Sequence, residues 1–313
     1  MFRRMAKFFV ILIAICVVAV GLKISNRNVV PLPTENGQIV KNTKMLVPHY
    51  DNVTFVHADM PITTNVAYGN LADIVKRGEL VVCALKRDYN QFFQMKVKDG
   101  YIGEDIRFAS ELGKALGVKV VYKMLYETYD DVVDAIHNGE GDVGIAKISY
   151  TQERARKVAY SESYLISRKV ILINRVATAG KESNTLDKVL NTPSARIAVM
   201  ENTCYESFAE MLFPKAQILH ESEWENGAIK KLREGTVIAV IRDELRIKTL
   251  ISAQPNLLIN FMPLILKGES DSISAITNIK GHSLISYINK FIENDYKVLT
   301  GKEVLDTYKD YVK

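Results

Sequence analysis

Apolar and polar residues alternate with two different periods from Leu71 onward, and this alternation predicts a parallel α/β sheet. Short apolar runs indicate buried strands, and apolar residues at helical spacing between them indicate amphipathic helices. The predicted elements of this part are Leu80–Leu85, Ile106–Leu116, Val118–Tyr122, Val132–Ile136 and Val143–Ile148. Strands separated by single helices pair in parallel, and ligands bind beyond the carboxyl ends of such strands. We therefore expect a site directly after Leu85 and Ile148.

The alternation continues toward the C-terminus and predicts a second α/β unit. The strands and helices of this unit are Val170–Ile173, Ile197–Val199, Tyr205–Leu212, Gly227–Leu232 and Val237–Ile241. A strand-like run and two closing helices follow at Ile273–Thr277, Ser283–Glu293 and Val304–Tyr311. A chain of 313 residues is long enough for one large or two medium domains.

Residues 1–22 have the pattern of an export signal peptide or of a membrane anchor. Three basic residues within the first seven precede an uncharged apolar run, Phe8–Leu22. This run is shorter than the roughly 20 residues of a relaxed membrane span, and small residues before a cut after Gly21 would suit a cleaved signal. Both alternatives stay open. Both send residues 23–313 across the membrane, because the positive charge remains in the cytoplasm.

Residues 23–70 show no sustained period. They contain four prolines and a turn signal at Pro33–Gly37. We interpret this segment as a linker or stalk that can pack on the folded part.

Charge and cysteine content exclude several classes of function. The net charge is +5, and no block of lysine and arginine is dense enough to predict nucleic-acid binding. The three cysteines, Cys16, Cys83 and Cys204, are an odd number without close spacing, which argues against a disulfide framework and against a zinc site. We expect no metal and no cofactor.

The segment Gly141–Tyr164 carries the clearest chemistry of the chain. Its apolar strand ends in the hydroxyl residues Ser149 and Thr151, which lead to Arg154 and a short helical stretch. A guanidinium binds a carboxylate through two parallel hydrogen bonds. The start of a helix adds free N–H groups and a favourable dipole. These groups together predict a carboxylate-binding site.

Two motifs in this segment resemble the signature of bacterial periplasmic solute-binding proteins of family 3, the amino-acid-binding type. The motifs are the T-x-E-R of residues 151–154 and the aromatic-Ser-acid-x-Tyr run of residues 160–164. The resemblance implies a two-lobed α/β periplasmic-binding-protein fold of type II, with a discontinuous lobe 1. Lobe 1 would comprise residues 71–170 and 278–313, and lobe 2 residues 171–277. The two crossovers would lie near Ser167–Asn174 and Ser272–Asn278.

The resemblance also implies roles for single residues. Arg154 and Ser149 would hold the α-carboxylate of an amino acid, and Thr203 would reach the same group from lobe 2. Asp243 would pair with the α-ammonium group. Thr203 and Asp243 also stand where residues cap helices, so capping remains an alternative for both.

Aromatic and basic residues complete the predicted pocket. Tyr89 and Tyr129 occupy places where the family stacks aromatic rings on the ligand, although aromatic residues are also common in cores. Lys147, with Arg87 and Lys86, would make the pocket basic and favour glutamate or aspartate. The alternative for these three cations is that they point outward from the strand ends.

Three functions are compatible with these residues. The first is a non-enzymatic periplasmic binding protein that closes over an amino acid and delivers it to an inner-membrane permease complex. The second is a sensory or regulatory binding module that the N-terminal segment tethers to the membrane. The third is an enzyme of the dehydratase type on the same fold, in which Glu201 or Glu162 would act as the acid. We favour the first.

Overall fold

The computed structural model describes residues 29–31, 48–57, 69–87, 92–98, 100–178 and 185–311. The predicted export signal or anchor, much of the predicted linker, and Tyr89 lie outside these residues. The strands are β1 Val29–Pro31, β2 Val53–Val56, β3 Glu79–Leu85, β4 Met95–Val97, β5 Gly100–Ile102, β6 Lys119–Tyr126, β7 Val143–Gly144, β8 Val158–Asn174, β9 Arg196–Met200, β10 Gln217–Glu221, β11 Ala239–Asp243, β12 Phe261–Asn278 and β13 Leu299–Thr300.

Helices cover the faces of the sheet and are named here by their residues. The α-helices are Leu71–Arg77, Glu104–Leu116, Tyr129–His137, Arg175–Thr178, Leu186–Leu190, Tyr205–Leu212, Lys230–Arg233, Glu244–Ala253, Leu257–Asn260, His282–Asn294 and Gly301–Tyr308. Shorter helical segments of the 3-10 or π type are Arg154–Arg156, Trp224–Ile229 and Lys309–Tyr311. Within the described ranges, none of the helices is long and apolar enough to cross a bilayer.

The strands form one long sheet with two halves. Its order is β10-β9-β11-β8-β12-β7-β3-β6-β2, with β1 and β13 added beside β12 and β8. β2, β6, β3 and β7 pair in parallel, as do β11, β9 and β10. The antiparallel pair β8 and β12, of 17 and 18 residues, runs through both halves. We call the half built on β7, β3, β6 and β2 lobe 1, and the half built on β11, β9 and β10 lobe 2.

The chain passes from lobe 1 to lobe 2 along β8. Leu165 and Ile166 pair with β13 in lobe 1, whereas residues from Lys169 onward pair with β11 in lobe 2. The prediction of a first crossover near Ser167–Asn174 includes this point.

The return passage along β12 lies earlier than predicted. The pairing of β12 with β8 breaks between Ile265 and Ser270, and the residues from Ser270 onward pair with the lobe 1 part of β8. Ile273 and Ala275 are fully buried in the lobe 1 core. The predicted crossover at Ser272–Asn278 is therefore corrected to residues 267–269, because the run Ile273–Thr277 is a strand of lobe 1 and Leu266 still pairs in lobe 2.

The predicted linker contributes a strand to each lobe. Val29–Pro31 pairs antiparallel with the lobe 2 part of β12, and Val53–Val56 pairs in parallel with β6 at the edge of lobe 1. β-branched residues in both segments suit a strand. They were missed because each run is too short to show a period. Two parts of residues 23–70 thus pack on the folded part, as the interpretation of this segment allowed.

The predicted strand Val143–Ile148 is much shorter in the structure. Only Val143–Gly144 pairs as a strand with the neighbouring strands β3 and β12. Ile145 still donates its N–H to the carbonyl of Cys83. Lys147 then has a φ of 51°, which turns the chain out of the extended conformation. An apolar run alone cannot reveal such a turn. Residues 149–154, which follow this turn, line the spaces between the lobes.

Candidate functional site

A small cavity lies between the two lobes, at the strand ends that the sequence indicated. Its volume is about 10 Å³. The described residues that line it are Tyr129, Lys147, Ser149, Arg154, Thr203, Cys204, Tyr205 and Arg242. We call it the central cavity. It shares walls with a cleft of about 1190 Å³ on one side and with a pocket of about 500 Å³ on the other.

Arg154 is buried at the lobe interface and contacts both lobes. Its Nε donates to Asp130 Oδ1 at 2.7 Å, and its two terminal nitrogens donate to the carbonyls of Ser149 and Asn202 at 3.5 and 3.3 Å. Asn202 belongs to lobe 2, whereas Asp130 and Ser149 belong to lobe 1. Thr151 Oγ1 accepts from the Arg154 backbone N–H at 3.2 Å and orients the start of the short helix. The guanidinium is thus held at the boundary by contacts from both sides.

Two hydroxyl residues and one aromatic ring lie near Arg154. Ser149 is buried on the lobe 1 side, and Thr203 lies opposite on lobe 2. The Tyr129 ring centroid is 5.7 Å from the Arg154 guanidinium carbon. Thr203 Oγ1 donates to the carbonyl of Met200 at 2.6 Å, so its hydroxyl ties the end of β9 to the following helix. The structure therefore brings Arg154, Ser149, Thr203 and Tyr129 together.

Lys147 and Asp243 form a buried ion pair across the lobe interface. The Lys147 Nζ donates to Asp243 Oδ2 at 3.1 Å, and the side chains are 5% and 0% exposed. Burial alone would lower the pKa of Lys147, but Asp243, together with smaller contributions from Tyr129 and Asp271, holds that pKa above its usual value. Burial would likewise raise the pKa of Asp243, but Lys147, Arg242 and the Arg246 N–H hold it below its usual value. Both groups are therefore charged at neutral pH.

Asp243 is turned toward the protein and not toward the central cavity. Its Oδ1 accepts from the Arg246 N–H at 3.0 Å and caps the helix Glu244–Ala253, as the alternative interpretation of this residue expected. Its other oxygen binds Lys147. The position that the sequence assigned to a ligand ammonium group is thus taken by a lysine of the chain.

The other predicted cations lie at the surface. Arg87 is 68% exposed, and it pairs with Glu127 together with Lys86. Neither residue is among the described residues that line the central cavity. This placement agrees with the alternative that they point outward from the strand end, and a role of Arg87 in binding stays a prediction. Tyr89 lies outside the described residues.

Three residues of the central cavity were not predicted from the sequence. Arg242 is buried, and its guanidinium carbon is 5.5 Å from the ring centroid of Tyr205. Tyr205 donates its hydroxyl proton to Asp271 Oδ2 at 2.7 Å. Cys204 is buried beside Thr203, and burial raises the pKa of its thiol to about 12. A charged residue at the end of the apolar run Val237–Ile241 was the signal that could have indicated Arg242.

The acids considered for catalysis lie away from the central cavity. Glu162 and Glu201 are both exposed, and Glu201 borders the pocket of about 500 Å³. No group of histidine, cysteine, aspartate and glutamate side chains in the described part of the chain is arranged to hold a metal ion.

Comparisons with known proteins agree with this architecture. The family model described as bacterial extracellular solute-binding proteins, family 3, matches residues 81–297. A probable histidine-binding protein of Campylobacter jejuni is 23% identical over 201 residues, which cover 64% of this chain and 74% of that protein.

Solved structures resemble the chain over a similar range. An amino acid ABC transporter substrate-binding protein of Streptococcus pneumoniae, bound to L-arginine, has a TM-score of 0.59 at 21% identity and covers 77% of this chain and 99% of its own. A protein of Wolinella succinogenes, described as a binding component of an ABC transporter and complexed with lysine, has a TM-score of 0.60 at 21% identity and covers 74% of this chain and 96% of its own. This likeness confirms the predicted two-lobed fold of type II periplasmic binding proteins.

Proposed function

This chain belongs to the bacterial extracellular solute-binding proteins, family 3, and we propose that it binds an amino acid or a similar small polar solute between its two lobes. One observation carries the proposal: the buried Arg154 guanidinium contacts both lobes beside the hydroxyl residues Ser149 and Thr203. A buried guanidinium at a cleft suits a carboxylate. Relatives and structural neighbours are described as binding histidine, arginine and lysine.

Binding would be coupled to movement of the lobes. The central cavity of about 10 Å³ is too small for an amino acid, so a solute enters only when the lobes part along the pair β8 and β12. In the structure Arg154 donates to the Asn202 carbonyl from across the interface. A carboxylate bound to Arg154 would take part in the same set of contacts and stabilise the closed arrangement.

We further propose that the protein acts outside the cytoplasm and delivers its solute to an ABC-type transporter. The family is extracellular, and the basic and apolar pattern of residues 1–22 supports export by either signal or anchor. Two structural neighbours are described as binding proteins of ABC transporters.

A membrane-tethered sensory or regulatory module is the second candidate. It is favoured by the N-terminal segment, which supplies β1 to lobe 2 and β2 to lobe 1. A tether that touches both lobes would transmit their movement toward the membrane. Catalysis is not proposed, because the acids considered for it, Glu162 and Glu201, are exposed and lie away from the central cavity.

A thermal-shift screen of the full chain in mild detergent tests the proposed function. The panel contains the amino acids and small carboxylic acids, each at several concentrations. A solute at 100 times its dissociation constant should stabilise the protein by roughly 2.7 kcal/mol. If no member of the panel raises the melting temperature at millimolar concentration, the proposal of a small carboxylate-bearing solute is wrong.

A further inference from the structure

Lys147 stands between Asp243 and the central cavity. The described residues that line the cavity include the three cations Lys147, Arg154 and Arg242, and none of them is a carboxylate. Asp243 is fully buried, and its Oδ2 accepts from Lys147 Nζ at 3.1 Å. A ligand ammonium group in this cavity would therefore lie beside three cationic side chains, while their carboxylate partners, Asp130 and Asp243, do not line the cavity. The carboxylate that could neutralise it is already bound to a side chain of the protein.

The backbone at Lys147 supports a role for this side chain. Its φ of 51° lies in the left-handed region, which residues other than glycine, asparagine and aspartate seldom adopt. Glycine would adopt this conformation without strain. A residue kept in a strained conformation at a ligand cleft indicates a function for its side chain. Here the turn directs the Lys147 ammonium group across the interface to lobe 2.

We propose that Lys147 is a built-in substitute for a ligand α-ammonium group, and that the solute of this protein is a small organic acid without an ammonium group. The inference rests on the proposed function, since it takes Arg154 as the partner of the solute carboxylate. Arg242 and Lys147 remain on the wall of the cavity beside it. They favour an acid with a second anionic or polar oxygen, such as a 2-oxo acid or a dicarboxylate.

Matched pairs of ligands test the inference, because the members of each pair differ mainly in the ammonium group. Titration calorimetry on the full chain in mild detergent compares 2-oxoglutarate with L-glutamate, and pyruvate with L-alanine. We expect the 2-oxo acid to bind at least about tenfold more tightly in one pair, since an unpaired ammonium group beside like charges weakens binding strongly.

The Lys147→Gly variant should reverse this order. Glycine fits the left-handed backbone and leaves the Asp243 carboxylate available to the ligand. The amino acid should then bind more tightly than in the natural protein, and the 2-oxo acid more weakly. Lys86→Gln is the matched control, since it removes an exposed lysine that pairs with Glu127, and it should leave the order unchanged.

The outcomes separate this inference from the proposed function. If the natural protein binds the amino acid of each pair more tightly than the 2-oxo acid, the inference is overturned and the proposed function stands. If it binds neither class, both are overturned. If Lys147→Gly does not fold, the order of affinities in the natural protein still decides between the two classes.

Discussion

The buried pair of Lys147 and Asp243 makes a quantitative prediction about stability. Asp243→Asn removes the negative charge and keeps an oxygen that can accept from the Arg246 N–H, so the cap of the helix is retained. Lys147 is only 5% exposed and loses its direct partner. Breaking a buried ion pair in this way typically costs about 3–5 kcal/mol of unfolding free energy.

The pKa of lysine sets an upper limit to this loss. In the Asp243→Asn variant, Lys147 has lost its carboxylate partner and can release its proton. At pH 7, release from an ordinary pKa of about 10.4 costs about 1.36 × 3.4 ≈ 4.6 kcal/mol. We therefore expect a loss of about 3–4.6 kcal/mol at pH 7. At pH 9 the limit falls to about 1.9 kcal/mol, so the loss should shrink as the pH rises. The loss shrinks because the unfolded variant binds more protons than the folded variant, so the unfolding free energy of the variant rises with pH.

In the natural protein the pair behaves differently. The pKa of Asp243 is lowered, so its contribution is present above the usual value of 3.8 and is lost as the pH falls through the folded value. The pKa of Lys147 is raised, so its contribution is present below 10.5 and is lost as the pH rises through the folded value. The pair should thus add a constant free energy between about pH 5 and pH 9.

Urea unfolding at pH 7 and pH 9 measures these differences, with the fluorescence of Trp224 as the signal for lobe 2. Asp134→Asn is the control, since Asp134 pairs with Lys157 at 2.6 Å on the surface and should change stability by less than about 1 kcal/mol. Adding Lys147→Met to Asp243→Asn should restore at least half of the loss. A loss no larger than that of the control, or one that does not shrink at pH 9, would refute the reasoning.

Two further predictions concern the core and the cleft. Gly103→Ala should destabilise the protein by about 2–4 kcal/mol in urea unfolding, because φ is 142° and the added Cβ would lie 2.3 Å from the carbonyl of Phe93. Gly235→Ala is the control: an added Cβ there has open space around it, so this variant should lose only about 1 kcal/mol. Equal losses in the two variants would contradict this account. Burial raises the pKa of the Cys204 and Cys83 thiols to about 12, so both should react slowly with a disulfide reagent at pH 8 in the native protein. A bound solute that closes the lobes should slow the reaction of Cys204 further and leave that of Cys83 unchanged, whereas equal slowing of both would argue against closure at the interface.

Part of the site could be predicted from the sequence because it depends only on which residues follow the end of a strand. Ser149 and Arg154 follow an apolar run directly, and the end of a parallel strand is where ligands bind. In the second unit Thr203 follows β9, and Asp243 ends β11. The sequence therefore indicated several of the residues that meet between the lobes.

The orientation of Lys147 and Asp243 could not be predicted in this way. It depends on one left-handed residue inside a run that has the pattern of a strand, and a change of one residue in register turns a side chain to the other face. The strands Val29–Pro31 and Val53–Val56 were missed for a related reason. Each acquires its structure by pairing with distant residues of β12 and β6, and such pairing leaves no period in a run of three or four residues.

Calorimetric titration of the best solute from the thermal-shift screen into three proteins tests the central claim most directly. The proteins are the natural chain, Arg154→Gln and Arg156→Gln, whose arginine is exposed two residues further along. Loss of a charged partner of a desolvated carboxylate costs about 2–5 kcal/mol, so Arg154→Gln should weaken binding roughly 30-fold or more, while Arg156→Gln should bind as the natural chain does. Unchanged affinity in a folded Arg154→Gln protein would contradict the assignment of this residue to the solute carboxylate.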